Sequence, residues 1–137
     1  MCYYLEEALR PVNRTEIINR TIKYLKGIKF NSVVVSGASG LAIGPIIAYK
    51  LRKNLVIIRK PKEKTHSDDM VEGQLGKSYI IIDDFIDTGA TIRRILRTIA
   101  KDGQWAKCVG VYTYMRGNDW NNHKLTKTLK LININER

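Results

Sequence analysis

Cysteine is scarce: Cys2 and Cys108 are the only two thiols in 137 residues, too few for a disulfide framework or a four-cysteine zinc site. Three prolines and ten glycines leave no room for a collagenous or low-complexity chain. Apolar runs are short, none nearing the ~18 residues of a membrane span. The opening Met1-Cys2-Tyr3-Tyr4-Leu5-Glu6-Glu7 lacks the basic start and apolar stretch of a secretory leader. The expected setting is therefore the cytoplasm, with both thiols reduced and no membrane partner. Acid is the remaining shortage. Thirteen Asp and Glu stand against 24 Lys and Arg, giving a net charge of +11. That excess favours acidic partners, among them nucleic acid, an anionic surface or a polyphosphate metabolite, without choosing between them. The rest is ordinary for one globular domain, with 44% apolar and 27% charged residues.

Strand and helix patterns alternate along the chain. A short helix is expected from Tyr3 to Arg10, stopped by Pro11. A second runs from about Thr15 to Lys26, with Ile18, Ile22 and Leu25 on one face, Asn13 and Glu16 as a cap pair and Gly27 as terminator. Val33-Val34-Val35 is the first buried strand. The helix predicted from Leu41 to Lys53 places Pro45 in its first turn. Leu55–Ile58 and Tyr79–Ile82 are the next strands. Ile92, Ile95, Leu96, Ile99 and Ala100 then form the clearest amphipathic face, with Arg93, Arg94 and Arg97 opposite and Gly103 at the end. A fourth strand is expected at Lys107–Tyr114 and a fifth at Thr128–Ile132.

Strands apolar on both faces between amphipathic helices predict an α/β fold: one domain, with a parallel sheet of about five strands covered by helices on both sides. Ligands of such sheets bind beyond the carboxyl ends of the strands, where strand order reverses. The loops after Val35, Ile58, Ile82 and Tyr114 are therefore the places to look. The stretch from Arg59 to Lys77 has no clear period, which marks a binding loop or lid, or else a solvated surface loop.

One segment carries most of the chemistry. In Tyr79-Ile80-Ile81-Ile82-Asp83-Asp84-Phe85-Ile86-Asp87-Thr88-Gly89-Ala90-Thr91, a buried strand opens into two adjacent carboxylates, then a small hydroxyl-rich turn, then a helix. Amides at a helix start, helped by Thr88 and Thr91, suit a phosphate dianion, and Gly89 removes the Cβ that would block its approach. The acids would repel that phosphate but suit the hydroxyls of an attached sugar, or its Mg²⁺. Gly73-Gln74-Leu75-Gly76-Lys77-Ser78 looks like the end of a nucleotide P-loop, yet it precedes a strand, so it fails. His66 and His123 have no partners at metal-ligand spacing.

The Tyr79–Thr91 segment resembles the ribose-phosphate signature of the type I phosphoribosyltransferases, which use 5-phospho-α-D-ribose 1-diphosphate (PRPP). The resemblance spans about Thr15 to Met115. It implies that Asp83 and Asp84 bind the ribose hydroxyls and, through PRPP, Mg²⁺, while Asp87, Thr88, Gly89, Ala90 and Thr91 wrap the 5-phosphate. Ser36, Gly37, Ala38, Ser39 and Gly40 look like the family's diphosphate loop. Arg59 and Lys60 are similar to its basic doublet, with Lys62 beside them, and Lys64 and His66 resemble the catalytic lid of the orotate enzymes. Asp87 stands where hypoxanthine-guanine enzymes carry an acid that handles a purine proton; its other reading is a turn residue bonding the loop's own amides. The lid and Asp87 thus point to different branches.

The implied reaction transfers phosphoribosyl from PRPP to a nucleobase, releasing diphosphate, in an enzyme that is usually a homodimer. A non-catalytic sensor of PRPP or nucleotides, or a nucleic-acid binder, is the alternative on the same fold. About thirty residues precede Val33, fewer than the base-binding hood of orotate and adenine enzymes requires. The core is expected at 15–115, with 116–137 as a small hood and last strand. Tyr114, Asn118 and Trp120 are the candidate base contacts, and Trp120 serves equally as an anchor of a surface loop.

Overall fold

A computed structural model describes residues 4–60, 70–115 and 124–127. Four helices and six strands are formed among them: α1 (Tyr4–Leu9), α2 (Pro11–Leu25), β1 (Ser32–Val35), α3 (Gly37–Leu51), β2 (Asn54–Ile58), β3 (Val71–Glu72), β4 (Ser78–Asp83), α4 (Ala90–Asp102), β5 (Lys107–Thr113) and β6 (Lys124–Thr126). The strands make one sheet in the order β3-β2-β1-β4-β5-β6. β2, β1, β4 and β5 are parallel, and the two edges are antiparallel.

The α/β class stands, but the sheet is mixed and six-stranded rather than wholly parallel with about five. β3 comes from the segment whose sequence has no period. Two residues are too few to show one, and its pairing with β2 through Ile58↔Val71 is a tertiary contact. β6 pairs back on β5 at Lys124–Thr126, and the strand expected at Thr128–Ile132 lies outside the described residues.

The alternating side chains of the strands feed two cores. Val33, Val35, Ile80, Ile82 and Tyr112 pack under α2 and α3, with Ile17, Leu25, Ile43 and Ile47. Val34, Val56, Ile58, Ile81 and Val111 pack on the other face under Ile92, Ile95 and Ile99 of α4. Burying an Ile or Val side chain contributes about 1.5–3 kcal/mol, so these two layers supply most of the cohesion.

Helix starts differ from the pattern-based expectation. Pro11 opens α2 instead of only stopping α1, because a first-turn N–H has no intrahelical acceptor and proline loses nothing there. Asn13 is consequently inside the helix, and no side-chain cap forms. The C-cap of α2 is Lys26 in right-handed conformation, and Gly27, which follows it as expected, does not take the left-handed conformation of a glycine terminator. α3 begins at Gly37, four residues earlier than its periodicity indicates, so Pro45 lies in its interior. The carbonyl that Pro45 leaves without a donor is that of Leu41, a residue 44% exposed, where water can replace the bond. Gly40 and Gly44 let this helix lie hard against β1: a Cβ on Gly44 would run into Val35 Cγ1. That close seat places the start of α3 beside the end of β4.

Candidate active site at the ends of β1 and β4

Strand order reverses between β1 and β4, and a cleft of about 320 Å³ opens at their carboxyl ends. It is at the lower end of the size range of small-ligand sites. Its walls come from three loops. Ser36, Gly37, Ala38 and Ser39 follow β1, Lys60 follows β2, and Asp84 through Ile92 follow β4, whose last residue, Asp83, also lines the cleft.

The two acids have different surroundings. Asp83 is buried, and its Oδ1 accepts from the Ser39 hydroxyl at 2.7 Å and from the Asp84 amide at 2.9 Å. Asp84 is buried too, and its Oδ1 accepts from the Phe85 amide at 2.8 Å. Asp84 Oδ2 has no hydrogen-bond partner among the described residues, although it is buried. A buried carboxylate oxygen without a donor costs free energy unless a ligand supplies one, so this atom marks where a ligand should bind.

Burial pushes the Asp83 carboxyl up to about 6, against the Ser39 hydroxyl bond that lowers it, and the neighbouring Asp84 charge raises it further. Because Asp83 holds its proton more tightly folded than unfolded, this group favours the fold fully below its ordinary value of 3.8. That contribution is lost as pH rises through about 6. Thermal melts of the ligand-free chain between pH 4 and 7 should show this loss, and the Asp83→Asn variant should lack it. Ser39→Ala removes the bond that favours the anion, so it should move the transition to higher pH; an unchanged midpoint would mean that Ser39 does not control Asp83.

Two helix starts face the acids. α4 begins after Gly89, whose φ of 82° is the left-handed conformation that glycine tolerates best. In this turn the Ala90 amide reaches Thr88 Oγ1 at 3.3 Å, and the Arg93 amide bonds Gly89 O. Among the described residues, no hydrogen bond occupies the amides of Thr88, Gly89 or Thr91. α3 likewise starts without a side-chain cap, and the Lys60 side chain runs beside Gly37. Unpaired first-turn amides and the helix dipole make both ends favourable to anions.

Ser39 is held at two points, its hydroxyl donating to Asp83 and its carbonyl accepting from Tyr114 Oη at 2.7 Å. This corrects the expectation for Tyr114. Its ring is fully buried and presents no face for a base to stack on.

Twelve of the sequence-predicted residues meet in this cleft: Ser36, Gly37, Ala38, Ser39, Lys60, Asp83, Asp84, Asp87, Thr88, Gly89, Ala90 and Thr91. Gly40 sits behind the wall, where a Cβ would come within 2.9 Å of Val35 Cβ. Arg59 does not join them: its Nε pairs with Glu72 Oε1 at 3.2 Å on the neighbouring edge strand. Successive extended residues point to opposite sides, so only Lys60 of the doublet reaches the cleft. Asp87 is exposed and, among the described residues, bonds none of the loop amides, contrary to its turn reading. Lys62, Lys64, His66, Asn118 and Trp120 lie outside the described residues.

Two contributors were not anticipated. Leu5 of α1 joins Phe85 and Ile86 as an apolar part of the wall. Arg94, expected on the solvent side of α4, donates through Nη2 to Ser36 Oγ at 2.7 Å and through Nη1 to Arg59 O at 3.4 Å. Ser36 Oγ in turn donates to Ile58 O at 2.8 Å. One guanidinium thus ties the loop after β1 to the loop after β2. The available signal was its place beside Ile95, at the margin of the buried face. Arg94→Ala should lower the affinity for a diphosphate-bearing substrate about tenfold or more, with a smaller effect on turnover once the site is saturated. Steady-state kinetics with a wild-type KM would overturn this role.

No cluster of three or more His, Cys, Asp or Glu residues exists among the described residues to hold a metal by protein ligands alone. The pair Asp83 and Asp84, with a buried unbonded oxygen on Asp84, fits the Mg²⁺ pattern of one or two carboxylates plus substrate oxygens and water. No described helix is long and apolar enough to cross a membrane.

Comparison with known proteins agrees with this geometry. The model of the phosphoribosyl transferase domain matches residues 14–136. The chain is 32% identical over 102 residues to the adenine phosphoribosyltransferase of Thermosipho melanesiensis, covering 63% of this chain and 58% of that protein. It is 31% identical over 107 residues to the hypoxanthine/guanine phosphoribosyltransferase of Aciduliprofundum boonei, covering 68% and 58%. It therefore spans about three fifths of the length of the curated relatives it matches. The crystal structure of adenine phosphoribosyltransferase from Thermoanaerobacter pseudethanolicus superposes with a TM-score of 0.60 at 22% identity, covering 79% of this chain and 69% of that one, a likeness of fold.

Proposed function

The chain belongs to the phosphoribosyl transferase family, and from that premise we propose that it transfers the 5-phosphoribosyl group of PRPP to a nucleobase and releases diphosphate. The observation that carries this reading is the cleft itself. A buried acid pair with an unbonded oxygen on Asp84 stands between two uncapped helix starts. PRPP has the complementary pattern, with a phosphate at one end, a diphosphate at the other and two hydroxyls between.

In this reading the 5-phosphate settles on the amides of Thr88, Gly89 and Thr91, with the threonine hydroxyls beside it. The diphosphate lies over the first turn of α3, from Gly37 to Ser39, with Lys60 as a positive charge near it. Asp84 Oδ2 accepts from a ribose hydroxyl, and Asp83, held by Ser39, keeps the neighbouring oxygen in place. Mg²⁺, held through Asp83 and Asp84 together with PRPP oxygens, would neutralise charge on the departing diphosphate. The bond from C1 to the diphosphate oxygen breaks, and its electron pair leaves with the diphosphate. A ring nitrogen of the base supplies the pair for the new C1–N bond and then loses its proton. The residues gain rate chiefly by positioning and by charge compensation.

Asp87, exposed at the mouth, is the candidate to handle the base's proton. Lys64 and His66 are the candidate lid residues, and Trp120 with Asn118 the candidate base contacts. A homodimer belongs to the same reading, since a second subunit would add to a site whose base-binding part is small. The test is release of diphosphate from PRPP and Mg²⁺ against a panel of purines, pyrimidines and nicotinic acid. Turnover with at least one base is expected. PRPP binding with no turnover on any acceptor would replace transfer by sensing.

A further inference from the structure

Among the described residues the cleft draws on Lys60 and Arg94, a small part of the 24 Lys and Arg behind the net charge of +11, and the fold shows where more of it resides. β1, β2, β4 and β5 run parallel, so all four start at the end of the sheet opposite the cleft. α2, α3 and α4 each run back to feed a strand and therefore finish at that same end. Segments 23–29, 50–53 and 101–107, with residue 77, bring nine of the 24 Lys and Arg residues there and one of the 13 acids, Asp102. Eight of the nine are exposed, and among the described residues none is in an ion pair. Cations in the last turns of helices offset the dipole, which accounts for Lys23, Lys50 and Lys101. Lys26 and Arg52 stand at the C-caps of α2 and α3 and Lys53 lies over the Phe30 ring, whereas Lys29, Lys77 and Lys107 have no such role.

Their arrangement has two parts. Between the ends of α2 and α3 lies a groove of about 710 Å³, lined by Ile22, Ala48, Tyr49, Lys50, Arg52 and Lys53. Backbone bonds from Asn54 to Asn31, from Asn31 to Ser78 and from Lys107 to Lys77 then join the strand starts into a rim, on which Lys29, Lys77 and Lys107 stand exposed. An aromatic ring projects at each part. Tyr49 is 84% exposed beside the groove and Trp105 is 97% exposed just before β5. Leaving a tryptophan in water gains nothing for the fold, and a basic surface carrying free rings matches a strand of phosphates with unstacked bases.

We infer that the end of the sheet opposite the cleft is a docking surface for single-stranded nucleic acid, with backbone phosphates along the Lys50–Arg52 groove and the Lys29–Lys77–Lys107 rim and bases stacked on Tyr49 and Trp105. It is separate from the cleft and does not depend on the transfer reading.

Fluorescence anisotropy with a labelled 12-nucleotide oligo(U), an equal-length oligo(dT) and a 12-base-pair duplex tests it. Both single strands should bind at 50 mM salt, more tightly than the duplex, with affinity falling steeply as salt rises. Lys50→Glu with Arg52→Glu, and separately Lys29→Glu with Lys77→Glu, should each weaken binding about tenfold or more while diphosphate release stays as in the wild type; the rim pair should also leave thermal melting unchanged, whereas the helix-end pair should lower it slightly because it opposes the α3 dipole. The rim pair lies in loops, so it keeps the test valid if the helix-end pair disturbs folding. Tyr49→Ala and Trp105→Ala should weaken binding severalfold without changing its salt slope. Saturating PRPP should not displace the oligonucleotide. Absence of binding at 50 mM salt, insensitivity to both charge reversals or displacement by PRPP would overturn the inference. Equally decisive against it would be binding only to vesicles containing phosphatidylserine.

Discussion

Asp84→Asn is expected to reduce kcat/KM for PRPP by about a hundredfold or more while leaving the fold at least as stable as before. Asn keeps an oxygen for the Phe85 amide, which now donates to Asp84 Oδ1 at 2.8 Å. What changes is the other position, where the unbonded Oδ2 becomes an amide nitrogen. That nitrogen can only donate, so a ribose hydroxyl facing it loses its acceptor, and Mg²⁺ loses a charge. A hundredfold loss corresponds to about 2.7 kcal/mol, ordinary for a charged hydrogen bond that matters in the transition state. Stability moves the other way, because a buried carboxylate oxygen without a donor is a cost that the amide largely removes. The Asp83 carboxyl, held up in part by its neighbour's charge, should also titrate lower in this variant. Isothermal binding of PRPP, steady-state rates and a melting curve on one preparation decide the matter. Near wild-type kinetics would remove Asp84 from the site, and a collapsed melting curve would make it a structural residue.

Gly40→Ala should damage both stability and catalysis. The added Cβ would lie 2.9 Å from Val35 Cβ and 3.0 Å from the carbonyl oxygen of Ile82. Neither can retract, since one belongs to a β-branched side chain in a buried strand and the other to backbone at the end of β4. The start of α3 has to lift instead, and overpacking of this kind costs about 1–3 kcal/mol. Ser39 is the next residue toward the cleft, so the lift stretches its 2.7 Å bond to Asp83 and moves the uncapped amides. We expect a melting point lower by several degrees and a KM for PRPP higher by about tenfold or more. Gly44→Ala serves as the control: its Cβ meets Val35 one turn farther from the cleft. It should cost comparable stability while the folded fraction keeps a wild-type KM. Equal KM changes in the two variants would mean that Gly40 acts only through general loosening of the helix.

The local run Tyr79–Thr91 was legible because everything it needs is contiguous: an apolar strand, two acids where it ends, and small residues before an amphipathic helix. The doublet Arg59-Lys60 was legible only in part. Adjacency in sequence suggested a common target, but an extended backbone sends the two side chains apart, and Glu72 captures one of them. Pro45 misled for a related reason. Its usual place in a first turn implied a helix starting at Leu41, whereas the solvent beside an exposed Leu41 makes an interior proline tolerable.

Composition, hydrophobic period and the one contiguous signature were enough to determine an α/β chain with its ligand site at the strand ends, since those properties depend on neighbours in sequence. How the loops around the acid pair are held depended instead on residues far apart in the chain. Ser39 occupies Asp83 across 44 positions, Arg94 ties Ser36 across 58, and Tyr114 holds Ser39 across 75. The gathering of cations at the opposite end is of the same kind, because only parallel strands with returning helices bring those segments to one pole. Such pairings are chosen by packing of the sheet and its helices, and packing is a property of the whole fold.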